Sequence, residues 1–571
     1  MEGIVMRVAP IIPTLKSRPL FAAIVIVVLV LCWATGRTAL ALAPGSGSFQ
    51  WTDQTGQSDP NKTLTIEYFR PDVVDADTPV WIIMHGMGRT ADNYRDYFQS
   101  AAAAQNALVI APTFSDADWP DSAGYAQGNI STTFSGGTPI AEVNWAFSKI
   151  EPLFDYVIDV VEPDIEATSY SMYGHSAGSQ FVHRFNMWKP DARANIIVAA
   201  NAGWYTMSQF NDGGYPYDYP YSLSNTPTPN PFPTNQLIDA LGNRLVVLLG
   251  DQDNDPDPNP DNLHNSDAAD ATGLHRFDRG QFYFSHGKTE AAIRNVPFGW
   301  DMNFIRGVGH SGSKTAKAAA SLFRFALNGP PPAMIDFPFD DPSGTILSAA
   351  ADVADGANWS NNLLGVSVNG TGGLDVAFDN PFTISASVEL KPGQVVDGNE
   401  RSFARMIVDI APWTFISDEA DEAIVFGFGN TSAISATAQV WIKRVKLGPS
   451  QFKMQLRALA AGNEGSDSGW IEVFEGIQPN DQLRITLDLD KAENTFEVRY
   501  QLGDDPTYVF FDGIVDPDYI GKFLRLGFRG TFNDPNESFE ILRYQVIPEP
   551  TSLVSILVFT LAGLGRRRRR R

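Results

Sequence analysis

Cysteine and positive charge are both scarce in this sequence. Its 571 residues include one cysteine, and 42 Lys and Arg residues stand against 66 Asp and Glu residues, which gives a formal net charge of −24. A single thiol excludes a disulfide within the chain, so stability must come from packing. The negative charge argues against nucleic acid as a partner and favours a soluble, self-repelling surface.

Histidine is also scarce, and its spacing gives no sign of a zinc site. Among the seven histidines, His264, His275 and His286 fall in a polar region without metal-ligand spacing, so we expect no metal and no organic cofactor. One run of aspartates alternates as calcium loops do, but it lacks the central glycine and the closing glutamate of an EF-hand. A solvated loop is the first interpretation of this run, and structural calcium is the alternative: Asp251, Asp253, Asp255, Asp257 and Asp261.

The abundant residues indicate a globular protein. Hydrophobic residues make up 43% of the chain and aromatic residues 12%, which is enough to bury a sizeable core. The length favours two or three domains.

The N-terminus is typical of an export signal. Residues 1–43 combine a basic segment containing Lys16 and Arg18 with an apolar stretch over 20–34. Small residues then precede a cleavage site that we place after Ala41. The alternative is an uncleaved membrane anchor.

The C-terminus has three parts in a fixed order. The triplet 548–550 reads Pro-Glu-Pro, a short apolar segment covers 553–564, and six arginines fill 566–571. Residues 547–571 resemble the PEP-CTERM sorting tail of Gram-negative bacteria. The resemblance implies an exosortase as a partner during export, and delivery to the cell surface or the exopolysaccharide matrix. A basic cluster after an apolar run also favours transient anchoring in the inner membrane.

Apolar strands alternate with helical patterns throughout residues 44–328. This alternation predicts an α/β domain with a mostly parallel, doubly wound sheet and helices on both faces. The predicted strands are 63–69, 80–84, 107–110, 170–173, 196–200, 244–249 and 300–306, and the predicted helices are 91–105, 141–161, 177–188, 289–294 and 313–327.

The pattern changes after a proline-rich linker at residues 329–333. Residues 334–546 carry short period-two segments without helices, which predicts an all-β sandwich. This part loosely resembles concanavalin-like jelly rolls, and we expect it to bind polysaccharide or matrix. The predicted strands are 383–390, 406–410, 423–428, 436–445, 453–459, 483–489, 495–501, 523–530 and 539–546.

The chemistry of the chain is concentrated around the pentapeptide Gly-His-Ser-Ala-Gly at 174–178. Glycines flanking a serine allow a sharp strand-to-helix turn that holds the serine hydroxyl clear of the sheet. A nucleophilic serine also needs a base, a carboxylate and oxyanion donors. The chain offers an acid turn at 250–253 and a histidine at 310, each directly after a later strand.

Together these motifs resemble the α/β-hydrolase fold, and within it the secreted bacterial esterases, lipases and polyester depolymerases. The resemblance implies Ser176 as nucleophile, His310 as general base and then acid, and Asp253 as the carboxylate. Asp251 and Asp255 remain open as alternatives for the acid. The matching text is His-Gly-Met-Gly at 85–88, Gly-His-Ser-Ala-Gly at 174–178, Gly-Asp-Gln-Asp at 250–253 and Gly-Val-Gly-His-Ser at 307–311.

Other polar and aromatic residues near these motifs have supporting roles in this interpretation. The backbone N–H groups of Met87 and Ala177 are the expected oxyanion donors, and His85 braces the loop before Met87. His183 is expected to pack within the helix that follows the serine. An aromatic insertion after residue 203 is either a lid or acyl-binding wall, with Trp204 and Tyr205 as substrate-binding residues, or an ordinary packed loop.

The sequence therefore predicts a secreted serine hydrolase that cleaves carboxylic esters. One alternative is a secreted serine peptidase of the same fold. Another is a matrix-binding protein in which the hydrolase domain is vestigial.

Overall fold

The computed structural model describes residues 42–548 with several gaps. The predicted export signal, most of the predicted linker and nearly all of the predicted sorting tail lie outside the described residues. The gaps are 56–58, 60–61, 211–214, 257–262, 327–332, 340–342, 344, 346–349, 351–358, 360–365, 369–372, 378–383, 393, 414–422, 431–436, 449–450, 461–466, 476–480 and 530–537.

The described residues of the first part of the chain form eight strands of one sheet. They are β1 (Gly45–Thr52), β2 (Thr63–Arg70), β3 (Val80–Met84), β4 (Leu108–Thr113), β5 (Tyr170–His175), β6 (Ala194–Ala200), β7 (Leu245–Gly250) and β8 (Asp301–Ile305). Their order across the sheet is β1-β2-β4-β3-β5-β6-β7-β8. The β1–β2 and β2–β4 pairs are antiparallel, and the pairs from β4 to β8 are parallel.

Helices connect these strands and cover both faces of the sheet. The α-helices of the described residues are α1 (Ala91–Ala104), α2 (Asp121–Gly124), α3 (Ile150–Tyr156), α4 (Ala177–Trp188), α5 (Thr234–Gly242), α6 (Asp267–Asp270), α7 (Arg276–Arg294) and α8 (Gly312–Phe323). Single 3₁₀ turns at Glu142–Asn144 and Phe147–Lys149 precede α3, and a π-helical turn at Val157–Val161 follows it. The single helix predicted over 141–161 is therefore divided into short segments.

The central strands are buried on both faces because helices pack on each side. All five residues of β3 are buried. Ile82 and Met84 belong to one hydrophobic cluster, whereas Trp81 and Ile83 belong to a second cluster on the opposite face. This is the pattern expected of a parallel strand between two helical layers, and it agrees with the predicted α/β fold.

The second part of the chain is rich in β-structure and contains two sheets that share one core. Residues of both sheets, including Met406 of one and Phe426 of the other, belong to a single buried cluster, as in a β-sandwich. The jelly-roll type stays a prediction. The strands are β9 (Ile335–Phe337), β10 (Val366–Val368), β11 (Leu374–Ala377), β12 (Ile384–Glu389), β13 (Phe403–Trp413), β14 (Ala423–Gly429), β15 (Thr437–Gly448), β16 (Gln451–Leu459), β17 (Ile471–Glu475), β18 (Leu483–Asp490), β19 (Thr495–Leu502), β20 (Thr507–Ile514), β21 (Phe523–Arg529) and β22 (Ser538–Pro548).

The two parts are joined by continuous sheet. Strand β8 of the first part pairs in parallel with β20 of the second, with Asn303, Phe304 and Ile305 opposite Thr507, Tyr508 and Val509. The first sheet thereby extends through β20, β19, β18, β13 and β22, whereas β12, β21, β14, β15, β16 and β17 form the separate six-stranded sheet. No predicted strand covers 507–514, so this connection is not expected from the sequence pattern.

Within the described residues, no helix combines the length and the apolar composition needed to cross a membrane.

Candidate active site

Ser176 occupies a sharp turn between β5 and α4. Its φ of 57° and ψ of −115° lie outside the regions that L-residues ordinarily adopt. A serine in such a conformation is held there by its surroundings, and strained residues of this kind cluster at functional sites. The turn places Ser176 at the carboxyl edge of the parallel sheet and at the N-terminus of α4.

The two glycines of the pentapeptide are required by close backbone contacts. A Cβ atom on Gly174 would lie 2.1 Å from the carbonyl oxygen of Gly178. A Cβ atom on Gly178 would lie 2.4 Å from the carbonyl oxygen of Met84 at the end of β3. Both distances are shorter than any side chain permits, so the turn cannot form with larger residues at these two positions.

His310 lies between Ser176 and Asp253. Its Nε2 atom is 3.1 Å from Ser176 Oγ, and its Nδ1 atom is 2.7 Å from Asp253 Oδ2. With the carboxylate accepting from Nδ1–H, the neutral ring presents an unprotonated Nε2 to the serine hydroxyl. The structure thus brings together the three residues that the sequence motifs singled out.

The acid turn separates the roles of its two nearest aspartates. Asp253 is buried, and its second oxygen, Oδ1, lies 3.3 Å from Nη1 of the buried Arg276. Asp251 instead accepts the backbone N–H of Gly307 at 2.7 Å through Oδ1. Of these two carboxylates, Asp253 contacts His310. Asp251 stabilises the loop that carries His310. Sequence reasoning did not identify Arg276, which begins helix α7.

The turn after β3 is fixed by a buried histidine. His85 Nδ1–H donates to the carbonyl oxygen of Gly86 at 2.9 Å, and its Nε2 accepts the N–H of Phe114 at 3.1 Å. Burial lowers the pKa of His85 to about 3, so the ring is neutral. Because C=O and N–H point in opposite directions across a trans peptide, the bond to Gly86 directs the Met87 N–H away from His85.

The other expected oxyanion donor is Ala177, the first residue of α4. The first N–H groups of a helix have no intrahelical acceptor, and the helix dipole favours negative charge at this end. Met87 is 60% exposed and follows β3, which pairs directly with β5. The two N–H groups therefore belong to adjacent strand ends, at the edge of the sheet where Ser176 lies.

Two further histidines near Ser176 are buried and form hydrogen bonds within the fold. His175 is buried, its ring centroid lies 4.5 Å from that of His310, and a hydrogen bond of 2.9 Å joins its Nδ1 to the Tyr94 hydroxyl. Burial lowers its pKa well below the usual range, so it stays uncharged beside His310. His183 is packed inside α4, with Nδ1–H donating to the Ser179 carbonyl at 2.8 Å.

Trp204 and Tyr205, the predicted substrate-binding residues, are both buried, with exposures of 3% and 2%. Tyr205 stacks on Tyr283 with ring centroids 4.5 Å apart. Trp204 covers the buried guanidinium of Arg184, whose Cζ lies 4.1 Å from the ring centroid. These packing roles match the packed-loop interpretation of the aromatic insertion, and a role in substrate binding stays a prediction.

Phe134 is a partly exposed ring next to Trp204. It lies 5.5 Å from Trp204 between ring centroids and lines a cavity of about 410 Å³ formed mostly by residues 120–134. Arg89, two residues beyond Met87, donates at 3.0 Å each to the carbonyl oxygens of Asp121, which lines this cavity, and of Trp119 just before it. The cavity wall is therefore tied to the turn that holds Met87. No predicted strand or helix covers this segment.

Among the described residues, no group of three or more His, Cys, Asp or Glu side chains is arranged to hold a metal ion. Three of the alternating aspartates lie in that part of the chain, whereas Asp257 and Asp261 lie outside it.

Comparison with known proteins gives two informative similarities. The chain is 36% identical to poly(aspartic acid) hydrolase-1 from Sphingomonas sp. KT-1, over 49% of this chain and 99% of that chain, with a TM-score of 0.44. It is 31% identical to a poly(3-hydroxybutyrate) depolymerase from Bordetella parapertussis, over 52% of this chain and 94% of that chain, with a TM-score of 0.45. No model of a protein family matches the sequence, and no curated protein does.

Each of these solved structures matches about half of this chain and is matched over almost its entire length. Identity above 30% over that extent agrees with the sheet order and the strained serine turn. Through this region, the chain belongs to the α/β-hydrolase serine hydrolases.

Proposed function

We propose that this protein is an exported serine hydrolase that cleaves carboxylic esters through a covalent acyl-enzyme. The observation that carries the proposal is the line of contacts from Ser176 Oγ through His310 to Asp253, at 3.1 Å and 2.7 Å. Such a line allows a hydroxyl to lose its proton to the base as it attacks.

Acylation would begin when Ser176 Oγ attacks the ester carbonyl carbon. The hydroxyl proton passes to His310 Nε2, and a tetrahedral intermediate forms with its negative oxygen at the N–H groups of Met87 and Ala177. Asp253 stabilises the imidazolium through Nδ1–H. When the carbon–oxygen bond to the alcohol breaks, His310 returns its proton to the departing oxygen, and the acyl group stays on Ser176.

Deacylation repeats these steps with water. His310 Nε2 accepts a proton from the water as its oxygen attacks the acyl carbon, and the same two N–H groups hold the second oxyanion. Collapse of this intermediate breaks the bond to Ser176, which recovers its proton from His310, and releases the carboxylic acid. No metal or organic cofactor takes part.

The second candidate is hydrolysis of an amide bond by the same residues. It is favoured by the 36% identity to a poly(aspartic acid) hydrolase, because the backbone of poly(aspartic acid) is linked by amides. The steps are those described above, with an amine as the leaving group. The similarity to a poly(3-hydroxybutyrate) depolymerase supports the ester candidate, because poly(3-hydroxybutyrate) is linked by esters.

Steady-state assays of the full chain decide between these candidates. We would compare short-chain and long-chain p-nitrophenyl esters, poly(3-hydroxybutyrate) and poly(aspartic acid) as substrates. Ester turnover that falls by at least about 10⁴-fold in Ser176→Ala supports the proposal. Ester turnover that survives in Ser176→Ala would contradict the mechanism, and hydrolysis of poly(aspartic acid) alone would favour the amide candidate.

Export and attachment form the rest of the proposal. The signal at 1–43 and the PEP-CTERM-like tail at 547–571 support processing by an exosortase and delivery to the surface or matrix of a Gram-negative cell. The β-rich part is the candidate for binding polysaccharide there. Sedimentation of the Ser176→Ala protein with insoluble polysaccharides tests the binding, and its absence for every polysaccharide tried contradicts this part of the proposal.

A further inference from the structure

The loop that carries His310 lies between two elements that contact the β-rich part. The loop covers residues 306–311, after β8 and before α8. Strand β8 pairs with β20, and Lys317 of α8 forms an ion pair with Asp512 of β20. The elements directly before and after the loop of the candidate base therefore both contact strand β20.

The strand side of the loop is held by backbone and ring contacts. The N–H of Arg306, the first loop residue, donates to the carbonyl oxygen of Val509 at 3.0 Å. The rings of Phe304 and Tyr508 pack edge to face, with centroids 4.8 Å apart. The side chain of Val509 is buried in the same hydrophobic cluster as Val308, which lies two residues before His310.

Strand β19, which pairs with β20, stabilises these contacts. Tyr500 is 1% exposed and stacks on Tyr508, with ring centroids 5.0 Å apart and planes at 2°. A side-chain hydrogen bond also links Tyr500 to Arg306. Two aromatic residues of the β-rich part thus hold the start of the His310 loop, one through its ring and one through its hydroxyl.

The helix side is held by ion pairs. Lys317 Nζ lies 2.7 Å from Asp512 Oδ1. One residue beyond α8, the guanidinium of Arg324 pairs with the carboxylate of Asp490 on β18, and both side chains are buried. Because α8 starts two residues after His310, these pairs restrict where the loop can end.

The opposite side of the loop contacts the acid turn. Asp251 accepts the Gly307 N–H at 2.7 Å, and the Gln252 N–H donates to the Val308 carbonyl oxygen at 2.9 Å. The loop is therefore clamped between the turn that carries Asp253 and strand β20. A shift of β20 would change the 3.1 Å separation between His310 Nε2 and Ser176 Oγ.

From these contacts, we propose that the β-rich part is a component of the catalytic site, with Tyr508 and Tyr500 as positioning residues for His310. The proposal rests on the proposed function, which makes His310 the base. It goes beyond that function because a domain that only tethers the enzyme has no need to contact the base-carrying loop.

The test uses the full chain and three variants. Tyr508→Ala removes the ring against Phe304, and Tyr500→Phe removes only the hydroxyl that meets Arg306. Ile514→Ala is the matched control, since Ile514 ends the same strand and is 63% exposed. Titration with a fluorophosphonate counts the reactive serines in each preparation, and kcat and KM for a p-nitrophenyl ester are then expressed per reactive site well below the Tm.

For Tyr508→Ala we expect kcat per reactive site to fall about tenfold with KM within about twofold, because small misplacements of a catalytic group are costly. For Tyr500→Phe, kcat per reactive site should fall about threefold by the same reasoning. For Ile514→Ala, kcat per reactive site should equal that of the native protein. A normal kcat per site in both tyrosine variants would overturn the proposal, even if their Tm or their number of reactive sites were lower.

The two proposals fail in different ways. A native chain without ester turnover contradicts the ester hydrolase, and the rate of fluorophosphonate labelling per site then replaces kcat in the comparison of variants. Active native protein with unchanged tyrosine variants contradicts only the positioning role. If Tyr508→Ala does not fold, Tyr500→Phe alone decides, since it retains the stacked ring.

Discussion

Arg276 Nη1 lies 3.3 Å from Asp253 Oδ1, with the guanidinium and the carboxylate both buried. The carboxylate therefore contacts His310 through one oxygen and a buried cation through the other. This arrangement fixes the orientation of Asp253 and distinguishes it from Asp251, which accepts a loop N–H.

The first prediction concerns the identity of the acid. Asp253→Asn should lower kcat about 10⁴-fold, because an amide in this position no longer selects the ring tautomer with Nε2 free. In Asp251→Asn, kcat should fall about tenfold or less, because the substitution weakens only the hydrogen bond to the Gly307 N–H. Steady-state kinetics of both variants provide the check, and a larger loss in Asp251→Asn would reverse the assignment.

The second prediction concerns the buried cation beside the acid. Arg276→Gln removes the guanidinium that lies 3.3 Å from Asp253 Oδ1, so the carboxylate is oriented less firmly towards His310. We expect kcat to fall about tenfold with KM within about twofold, because small misplacements of a catalytic group are costly. Arg294→Gln, on the same helix and paired with Glu290, is the control in the same steady-state assays. A kcat of Arg276→Gln within about twofold of the native value contradicts the prediction.

The third prediction concerns the glycines of the serine turn. Gly174→Ala places a Cβ atom 2.1 Å from the Gly178 carbonyl oxygen, so the free energy of unfolding should fall by about 3 kcal/mol or more and activity should be lost. Gly242→Ala meets nothing within 4 Å and should change stability by less than about 1 kcal/mol. Urea denaturation of the two variants measures the difference, and equal stabilities would contradict the required close approach.

The fourth prediction concerns the oxyanion turn. His85→Ala removes the bond that fixes the Gly86 carbonyl, so kcat should fall by up to about 10²-fold with KM little changed. His286→Ala, a histidine on the outer helix α7, is the control. Because the pKa of His85 is about 3, its removal should leave the shape of the pH profile between pH 5 and 9 unchanged. A loss of kcat below twofold would show that the turn holds without His85.

The fifth prediction concerns Glu497 in the β-rich part. Burial raises its pKa to about 7 although Arg499 and Arg405 lie nearby, and the carboxylates of Asp512 and Asp488 add to the rise. A raised carboxyl pKa stabilises the fold at pH values below 4.5, the ordinary pKa of a glutamate, and that contribution is lost as the pH rises to about 7. At about 1.4 kcal/mol per pKa unit, this rise corresponds to a contribution on the order of 3 kcal/mol.

Glu497→Gln should remove this dependence. The native protein should lose more thermal stability than the variant between pH 5 and pH 8, and calorimetric scans at both values measure the two losses. Equal losses in the two proteins would contradict the raised pKa. Glu400→Gln, at an exposed position, controls for the change of charge.

The sequence was sufficient for the α/β part and for the serine turn because both depend on local patterns. Buried strands such as 80–84 are continuous apolar runs, and Gly-His-Ser-Ala-Gly is constrained by contacts within the turn itself. The sequence pattern predicts this helix only from 289, whereas α7 begins at Arg276, after His275 accepts the N–H of Asp278. Arg276 was missed with that helix, since nothing local links it to Asp253.

The pairing of β8 with β20 could not be predicted for a different reason. The two strands lie about 200 residues apart, and a parallel pair leaves no turn signature that marks its register. The burial of Trp204 and Tyr205 was equally hidden. The sequence of a loop does not reveal whether an aromatic ring packs inward, as Trp204 does on Arg184, or faces outward into a cleft.

The central claim is that Ser176 forms an acyl-enzyme with the help of His310. Rapid mixing of the full chain with p-nitrophenyl acetate, an acid quench and mass spectrometry of the peptides tests it most directly. The account predicts an acetyl group on Ser176 in the native protein, none at this position in Ser176→Ala, and a strongly reduced amount in His310→Ala. Ester turnover with the acetyl group on another residue, or with full acetylation of Ser176 in His310→Ala, would contradict it.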